Sequence, residues 1–476
     1  MTAPARPLSP ALLERFAAIV GSRHALTGAH DQEPYLIEPR GLYRGRTPMV
    51  LRPGSTAEVA AILKLADETR TPIVPQGGNT GLVGGQTPYE TGGELVLSLG
   101  RLDRLRAIDP EGNTMTVEAG MTLAAAQAAA ADIDRLFPLS LASEGTCQIG
   151  GNLATNAGGT AVLAYGNMRE LTLGLEVVLA SGEVWDGLRA LHKDNTGYDL
   201  RDIFIGSEGT LGIITAAVLK LFPRPRGTAV IFAGLPELPA LPHFLECARA
   251  VAGRDLTACE FIARVGLEFV LSHLPGARDP LAASHPWYVL AEISSMRSPD
   301  DARERAEALL ATASAASIVS DAVLAASLAQ AGELWRLREA LSEVQKHEGG
   351  SIKHDVTVPV ARVAEFIAEA SAAVAALIPG CRPVPFGHLG DGNVHFNISQ
   401  PVGADTAAFL ARWDEASAVV HEIVARYAGS ISGEHGIGRL KRRMLTAVKT
   451  PVELALMRKL KAALDPNGIL NPGKVL

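Results

Sequence analysis

The chain has 476 residues, 47% hydrophobic and 20% charged, with a formal net charge of −7. This length predicts two or three cores and the composition excludes a disordered chain, while the absence of a long basic block argues against a nucleic-acid surface. Four cysteines, none in a CxxC, argue against a disulfide framework or an iron–sulfur cluster. The opening stretch MTAPARPLSPALLERF lacks the apolar segment of a leader peptide, and no uncharged apolar run reaches membrane-spanning length. A soluble, cytoplasmic protein is expected.

Residues 8 to 38 predict a helix and a loop. TPMVLRPGS predicts a short strand and a turn. STAEVAAILKLADETR is an amphipathic helix with Ser55 or Thr56 placed to cap it. TPIVPQGGNTGLVGG is a strand running into a glycine-rich loop. ELVLSL, TMTVEAG and LTLGLEVVLASGEV are strand-like, and TLAAAQAAAADID is a helix. Two further glycine-rich stretches follow, EGTCQIGGNLATNAGGTAVLAYGNMRE and NTGYDLRDIFIGSEGTLGIIT. LFPRPRGT, residues 221 to 228, is a plausible domain boundary. Beyond it the strands TAVIFAGL, LTACEFI, WYVLAEISSM and SIKHDVTVPV alternate with the helices LPALPHFLECARAVAG, DDARERAEALLATAS, ELWRLREALSEVQKH and VAEFIAEASAAVAALIP. That alternation predicts an α+β domain with a helix-covered sheet. From about residue 430 the chain turns glycine-rich again and ends in LDPNGILNPGKVL.

Dense glycine loops make tight turns or let backbone N–H groups approach phosphate closely. Neither GxGxxG nor GxxxxGK[ST] occurs, so a Rossmann fingerprint and a P-loop are both missing. PQGGNTGLVGG still follows a strand directly, with Asn79 and Thr80 as side-chain donors beside Gly77, Gly78 and Gly81. It suits a pyrophosphate cradle or an ordinary surface turn.

FGHLGDGNVHFN carries His388 and His395 around a bend. A two-residue type I′ turn at Asp391-Gly392 would set His388 directly opposite His395, with Asn397 on the same face. Two imidazoles so placed could share one Zn²⁺. SGEHGIG adds Glu434 beside His435, read as one ligand and one acid/base group because neighbouring residues cannot easily both ligate one ion. Hydrogen-bonded structural histidines are the simpler reading of either motif alone. In RLREALSEVQKHEGGSIKHD, Arg338 and Ser342 are four apart on an expected helix, and Lys353 opens the next strand. Together they could clamp a carboxylate, or they could belong to a solvated helix face, as Arg336 and Lys346 do.

Taken in order, PQGGNTGLVGG, IGGNLATNAGG, NTGYDL, GSEGTLGIIT, GHLGDGNVHFN and EHG resemble the FAD-linked D-2-hydroxyacid dehydrogenases, the D-2-hydroxyglutarate and D-lactate dehydrogenase type. The resemblance spans nearly the whole chain. It implies an α+β protein with a vanillyl-alcohol oxidase/PCMH-type FAD-binding domain at 1–224. A substrate or cap domain with a helix-covered antiparallel sheet follows at 225–428, and a segment at 429–476 returns to the FAD site. It implies FAD contacts at Pro75, Gly77, Gly78, Asn79, Thr80 and Gly81; at Ser143, Gly145, Thr146, Gly150, Gly151, Asn152, Thr155, Asn156, Gly158 and Gly159; and at Gly212 and Ile213. Asn471 is a further flavin-side residue or a simple turn. It also implies a divalent metal, zinc by preference, on His388, His395 and Glu434. His435 would be the general base, and Arg338, Ser342, Lys353 and Asn397 would contact substrate, as would His435 itself.

The expected reaction oxidises a D-2-hydroxyacid to the 2-oxoacid, D-2-hydroxyglutarate being preferred over D-lactate, with hydride transfer to flavin. Electrons would pass to a separate carrier, an electron-transfer flavoprotein or a quinone-linked one, and a homodimer is left open. The alternatives are an O₂-using flavin oxidase of the same fold and a flavin-free metal hydrolase or binding protein.

Overall fold

The computed structural model describes residues 8–476, so the reading of the extreme N-terminus lies partly outside the described residues. Among these residues no helix is long and apolar enough to cross a membrane. The chain forms two compact units. The first comprises Met1–Gly158, Gly166–Pro223 and Glu434–Leu476; the second comprises Gly159–Tyr165 and Arg224–Gly433. Gly159 to Tyr165 thus leaves the N-terminal range and joins the second unit.

The first unit holds two larger sheets, besides a short antiparallel pairing of Arg135–Leu136 with Phe222–Pro223. β1 (Ala25–Leu26), β2 (Val50–Leu51), β3 (Ile73–Gln76) and β4 (Leu95–Ser98) form one, in the order β1-β2-β4-β3, with β4 parallel to both β2 and β3. The helix Thr56–Thr69 makes the crossover that β2 and β3 require. Ser55 caps it by accepting the Glu58 N–H, and Val59, Ile62, Leu63 and Ala66 form its buried face. The chain's end joins this sheet: Ile73 donates to Ile469 O and Asn471 donates to Ile73 O, each at 2.8 Å.

The second sheet contains β5 (Leu105–Asp109), β6 (Thr114–Glu118), β7 (Thr172–Val178), β8 (Val184–Gly187) and β9 (Ile213–Lys220), in the antiparallel order β5-β6-β9-β7-β8. β9 lies at its centre and begins at Ile213, inside the third glycine-rich stretch. Ile213 to Leu219 are all buried, so the strand shows no polar alternation to announce it.

The second unit is built on one antiparallel sheet. Its strands are β10 (Gly227–Leu235), β11 (Leu256–Ala263), β12 (Trp287–Ser295), β13 (Asp321–Leu324), β14 (Ser351–Ile352), β15 (Asp355–Thr357), β16 (Arg382–His388) and β17 (Asn393–Ser399). The order is β13-β10-β12-β11-β16-β17-β14, with β15 also pairing β17. β10 shows why helices cover both faces. Ala229, Ile231, Ala233 and Leu235 enter one core with the helices Ala240–Ala252, Pro299–Ala315, Val363–Leu377 and Trp413–Arg426. Val230 and Phe232 enter the opposite core with Arg264–His273 and Leu328–Glu339. Each large apolar side chain buried this way stabilises by about 1.5–3 kcal/mol.

Candidate functional site

Three glycine-rich stretches converge on one cleft within the first unit. Pro75 to Gly81 lines it from the end of β3 and the loop after it, Gly150 to Asn152 and Thr155 from the short helix Ile149–Ala154 and its end, and Gly212 and Ile213 from the start of β9. His435 and Asn471 also line it. Backbone proximity explains one glycine: a Cβ on Gly78 would lie 1.9 Å from Thr146 O. Gly151 is the opposite case, with nothing within 4 Å of its Cβ position, so the space beside it belongs to the cleft.

Four lining residues carry buried carbonyl oxygens without a protein partner: Gln76 Oε1, Asn79 Oδ1, Gln148 Oε1 and Asn471 Oδ1. A cleft with open space beside glycine backbone and unmet acceptors fits a large ligand rich in N–H and O–H donors, as FAD is. One detail departs from expectation. Both Asn79 amide protons are committed to Pro34 O and Ile37 O, each at 2.9 Å, so its side chain offers no donor to a phosphate. Asn471 likewise donates to Gly85 O and Glu208 O, tying two edges of the cleft together.

Ser143, Gly145, Thr146, Asn156, Gly158 and Gly159 stand outside that lining. Ser143 O closes a turn on Thr146 and Cys147, and Asn156 Oδ1 accepts the Arg169 N–H at 2.9 Å. Sequence reasoning missed Glu208, inside GSEGTLG. It lines the cleft, and its carboxylate accepts the N–H groups of Ile437 and Gly438 at 2.7 Å each. Burial raises its pKa and those two N–H donors oppose the rise. These bonds fix the segment two residues beyond His435.

In the second unit the histidine bend is real but not the expected turn. β16 and β17 pair His388 with Asn393 and Phe386 with His395. The loop is therefore Leu389 to Gly392, four residues rather than two. Asn393 N–H donates to Asp391 Oδ1, and Gly392 N–H to His388 O, which selects the wider loop. Gly392 has φ +80°, and a Cβ there would meet Val358 O at 2.1 Å. Arg249 Nη2 holds the loop by donating to Gly390 O at 2.9 Å.

His388 and His395 are consequently diagonal neighbours on one face, with ring centroids 5.5 Å apart. Each offers a ring nitrogen within 4.8 Å of the other's, close enough for both to reach one ion. Asn397 follows two residues on, buried, donating to Gln345 Oε1 at 2.9 Å. Asp355, the strand partner of His395, accepts Asn393 Nδ2 at 2.9 Å and, through its backbone O, the Gly433 N–H at 3.3 Å. Glu434 is the next residue of the chain.

The cation cluster differs from the expected helix face. The helix Leu328–Glu339 ends before Ala340, and Ser342 stands on a separate short helix, Leu341–Val344. Arg338 is buried while Ser342 is exposed, so the two do not share a face. Lys353 reaches back to Ser342 O at 3.0 Å. Arg336 pairs with Glu333 and Lys346 with Glu343, as expected of surface charges. Arg338 stacks over Phe386 with its guanidinium carbon 5.0 Å from the ring centroid, and Nη2 lies 2.7 Å from Glu260 Oε2. Glu260, read only as part of a strand, is a second residue the sequence reading missed. Its signal was a lone carboxylate in the otherwise apolar run LTACEFIA.

The cleft fits FAD, and the matches to known families give the class, a flavin-dependent oxidoreductase. Residues 47–187 match the family described as FAD binding domain, and residues 224–475 match FAD linked oxidases, C-terminal domain. A D-2-hydroxyglutarate dehydrogenase of Xanthomonas citri pv. viticola is 42% identical over 424 residues, 89% of this chain and 88% of that protein. A mitochondrial D-2-hydroxyglutarate dehydrogenase of Arabidopsis thaliana is 36% identical over 464 residues, 97% of this chain and 80% of that one. Among solved structures, substrate-bound p-cresol methylhydroxylase aligns with a TM-score of 0.76 at 16% identity, covering 99% of this chain and 98% of its own, which establishes the fold. The chain belongs to the D-2-hydroxyglutarate dehydrogenase family.

Proposed function

We propose that the protein oxidises D-2-hydroxyglutarate to the 2-oxoacid, with FAD in the cleft of the first unit and a divalent metal, zinc by preference, on His388, His395 and Glu434. The observation that carries this reading is the diagonal histidine pair of the second unit, in a chain that also has a glycine-lined cleft in its first unit and is 42% identical to a protein named for that activity. The donor set of two imidazoles and a carboxylate suits a Zn²⁺ that keeps an open position. Bound FAD supplies the hydride acceptor, and a bound divalent cation supplies Lewis acidity at the substrate hydroxyl.

The chain's own residues do the rest. His435 lines the flavin cleft and takes the hydroxyl proton. Arg338 receives a carboxylate with Asn397 beside Gln345. Arg338 Nε and Gln345 Nε2 are buried donors with no protein partner, which supports an anion at this place. A substrate with two carboxylates uses both the metal and the arginine, and this favours D-2-hydroxyglutarate over D-lactate. A separate carrier, an electron-transfer flavoprotein or a quinone-linked one, would take the electrons from bound FAD.

Anaerobic mixing with D- and L-2-hydroxyacids, with and without chelator, tests the reading. Flavin bleaching by D-2-hydroxyglutarate that a chelator abolishes is expected. Bleaching that ignores chelator removes the metal from the reaction, and reoxidation by air at catalytic speed makes the protein an oxidase.

A further inference from the structure

Glu260 is a buried carboxylate that the substrate and metal assignments above do not use. Glu260 sits on β11, paired with His388 on β16, in a strand whose eight residues are all buried. Its side chain is 1% exposed and faces two groups at once. Oε1 lies 2.8 Å from His388 Nδ1, and Oε2 lies 2.7 Å from Arg338 Nη2. A carboxylate at the centre of an apolar strand is unfavourable unless paired. Here it is paired on both oxygens, to one residue assigned to the metal and one assigned to the substrate.

We infer that Glu260 is a positioning residue that sets the His388 ring for the metal and the Arg338 guanidinium for the substrate carboxylate. The inference rests on the proposed function and extends it to a residue that touches neither ligand. An ionised carboxylate accepts hydrogen bonds only, so Nδ1 carries the His388 proton and Nε2 keeps the lone pair a metal needs. The same contact fixes the plane of the ring. Arg338 is held between its ion pair with Glu260 and the face of Phe386, which places its fork and leaves Nε and Nη2 without a hydrogen-bond acceptor. Glu260 therefore links zinc retention to recognition of the second carboxylate.

The test uses the FAD-loaded, zinc-replete protein and the isosteric Glu260→Gln. Zinc retention is read by competition with a chromophoric chelator, and KM and kcat are read for D-2-hydroxyglutarate and D-lactate. Zinc affinity is expected to fall about ten- to hundredfold. KM for D-2-hydroxyglutarate is expected to rise severalfold more than KM for D-lactate, because only the former presents a second carboxylate to Arg338. Glu260→Asp keeps the charge one methylene back and gives an intermediate loss, which decides the matter if the glutamine variant does not fold. Wild-type zinc affinity and an unchanged KM ratio in either folded variant overturn the inference while leaving the proposed function standing. Wild-type protein that binds no zinc overturns both.

Discussion

Glu208 Oε2 accepts the backbone N–H of Gly438 at 2.7 Å, across 230 residues of chain. With the matching bond from Ile437, the carboxylate anchors the segment that carries His435 within the flavin cleft. Glu208→Gln turns one acceptor into a donor facing an N–H group. The expected result is a stability loss of about 1–3 kcal/mol, read by denaturant unfolding, with turnover reduced in the folded enzyme. A variant equal to wild type in both would show that the segment is held by other contacts.

His435→Ala removes the proposed base and leaves the glycine loops untouched. The protein should stay yellow and lose turnover by at least a hundredfold. Undiminished turnover removes His435 from the proton transfer.

His388→Ala should lose both bound metal and turnover, whereas Asn397→Ala should keep metal and raise KM. Metal content of the purified variants, measured beside flavin absorbance, distinguishes the two. Stoichiometric metal in the His388 variant contradicts the ligand assignment.

Gly151→Ala and Gly78→Ala separate cleft from scaffold. The first places a methyl in open space beside the cofactor cleft, so folding is kept and FAD affinity falls about tenfold, or about 1.4 kcal/mol. The second drives a methyl into Thr146 O, so the fold itself is weakened. Equal flavin content in wild type and Gly151→Ala would mean that FAD does not lie against this helix.

Lys474 is fully buried beside Glu94, with its ammonium 3.9 Å from the centroid of the Tyr89 ring. Burial pushes its pKa down to about 8, against the opposing pull of Glu94. Between about pH 8 and 10.5 the unfolded chain holds a proton that the folded chain has released, so stability rises with pH across that window. The increment is about 3 kcal/mol. Lys474→Met should flatten this part of the stability–pH curve relative to wild type. Parallel curves for the two proteins would show that Lys474 is not the group responsible.

Much of this was legible in the residues. The capped helix after Ser55, the helix-covered sheet beyond residue 224 and the motif order all follow from local chemistry: period, turn residues, and glycine where backbone must come close. The clustering of the glycine loops on one cleft was legible only through the resemblance, since no spacing rule brings Gly78 and Gly212 together. The hairpin shows the limit of turn chemistry. Asp391-Gly392 is a favoured two-residue turn, yet Asp391 caps the Asn393 N–H and the loop widens to four residues. His388 then faces Asn393, and His395 becomes a diagonal neighbour.

The sequence by itself determined the capped helix, the helix-covered sheet, the glycine-rich loops and the identity of the donor groups, because these depend on residue type and short-range spacing. Only the tertiary structure decided which side chains are committed elsewhere. Asn79 donates to Pro34 O and Ile37 O, Ser342 lies exposed beyond a helix break, and Glu260 stands between His388 and Arg338. The reason is physical: a buried polar group must find a partner, and that partner is set by strand pairing and packing over distances in chain that local pattern cannot reach.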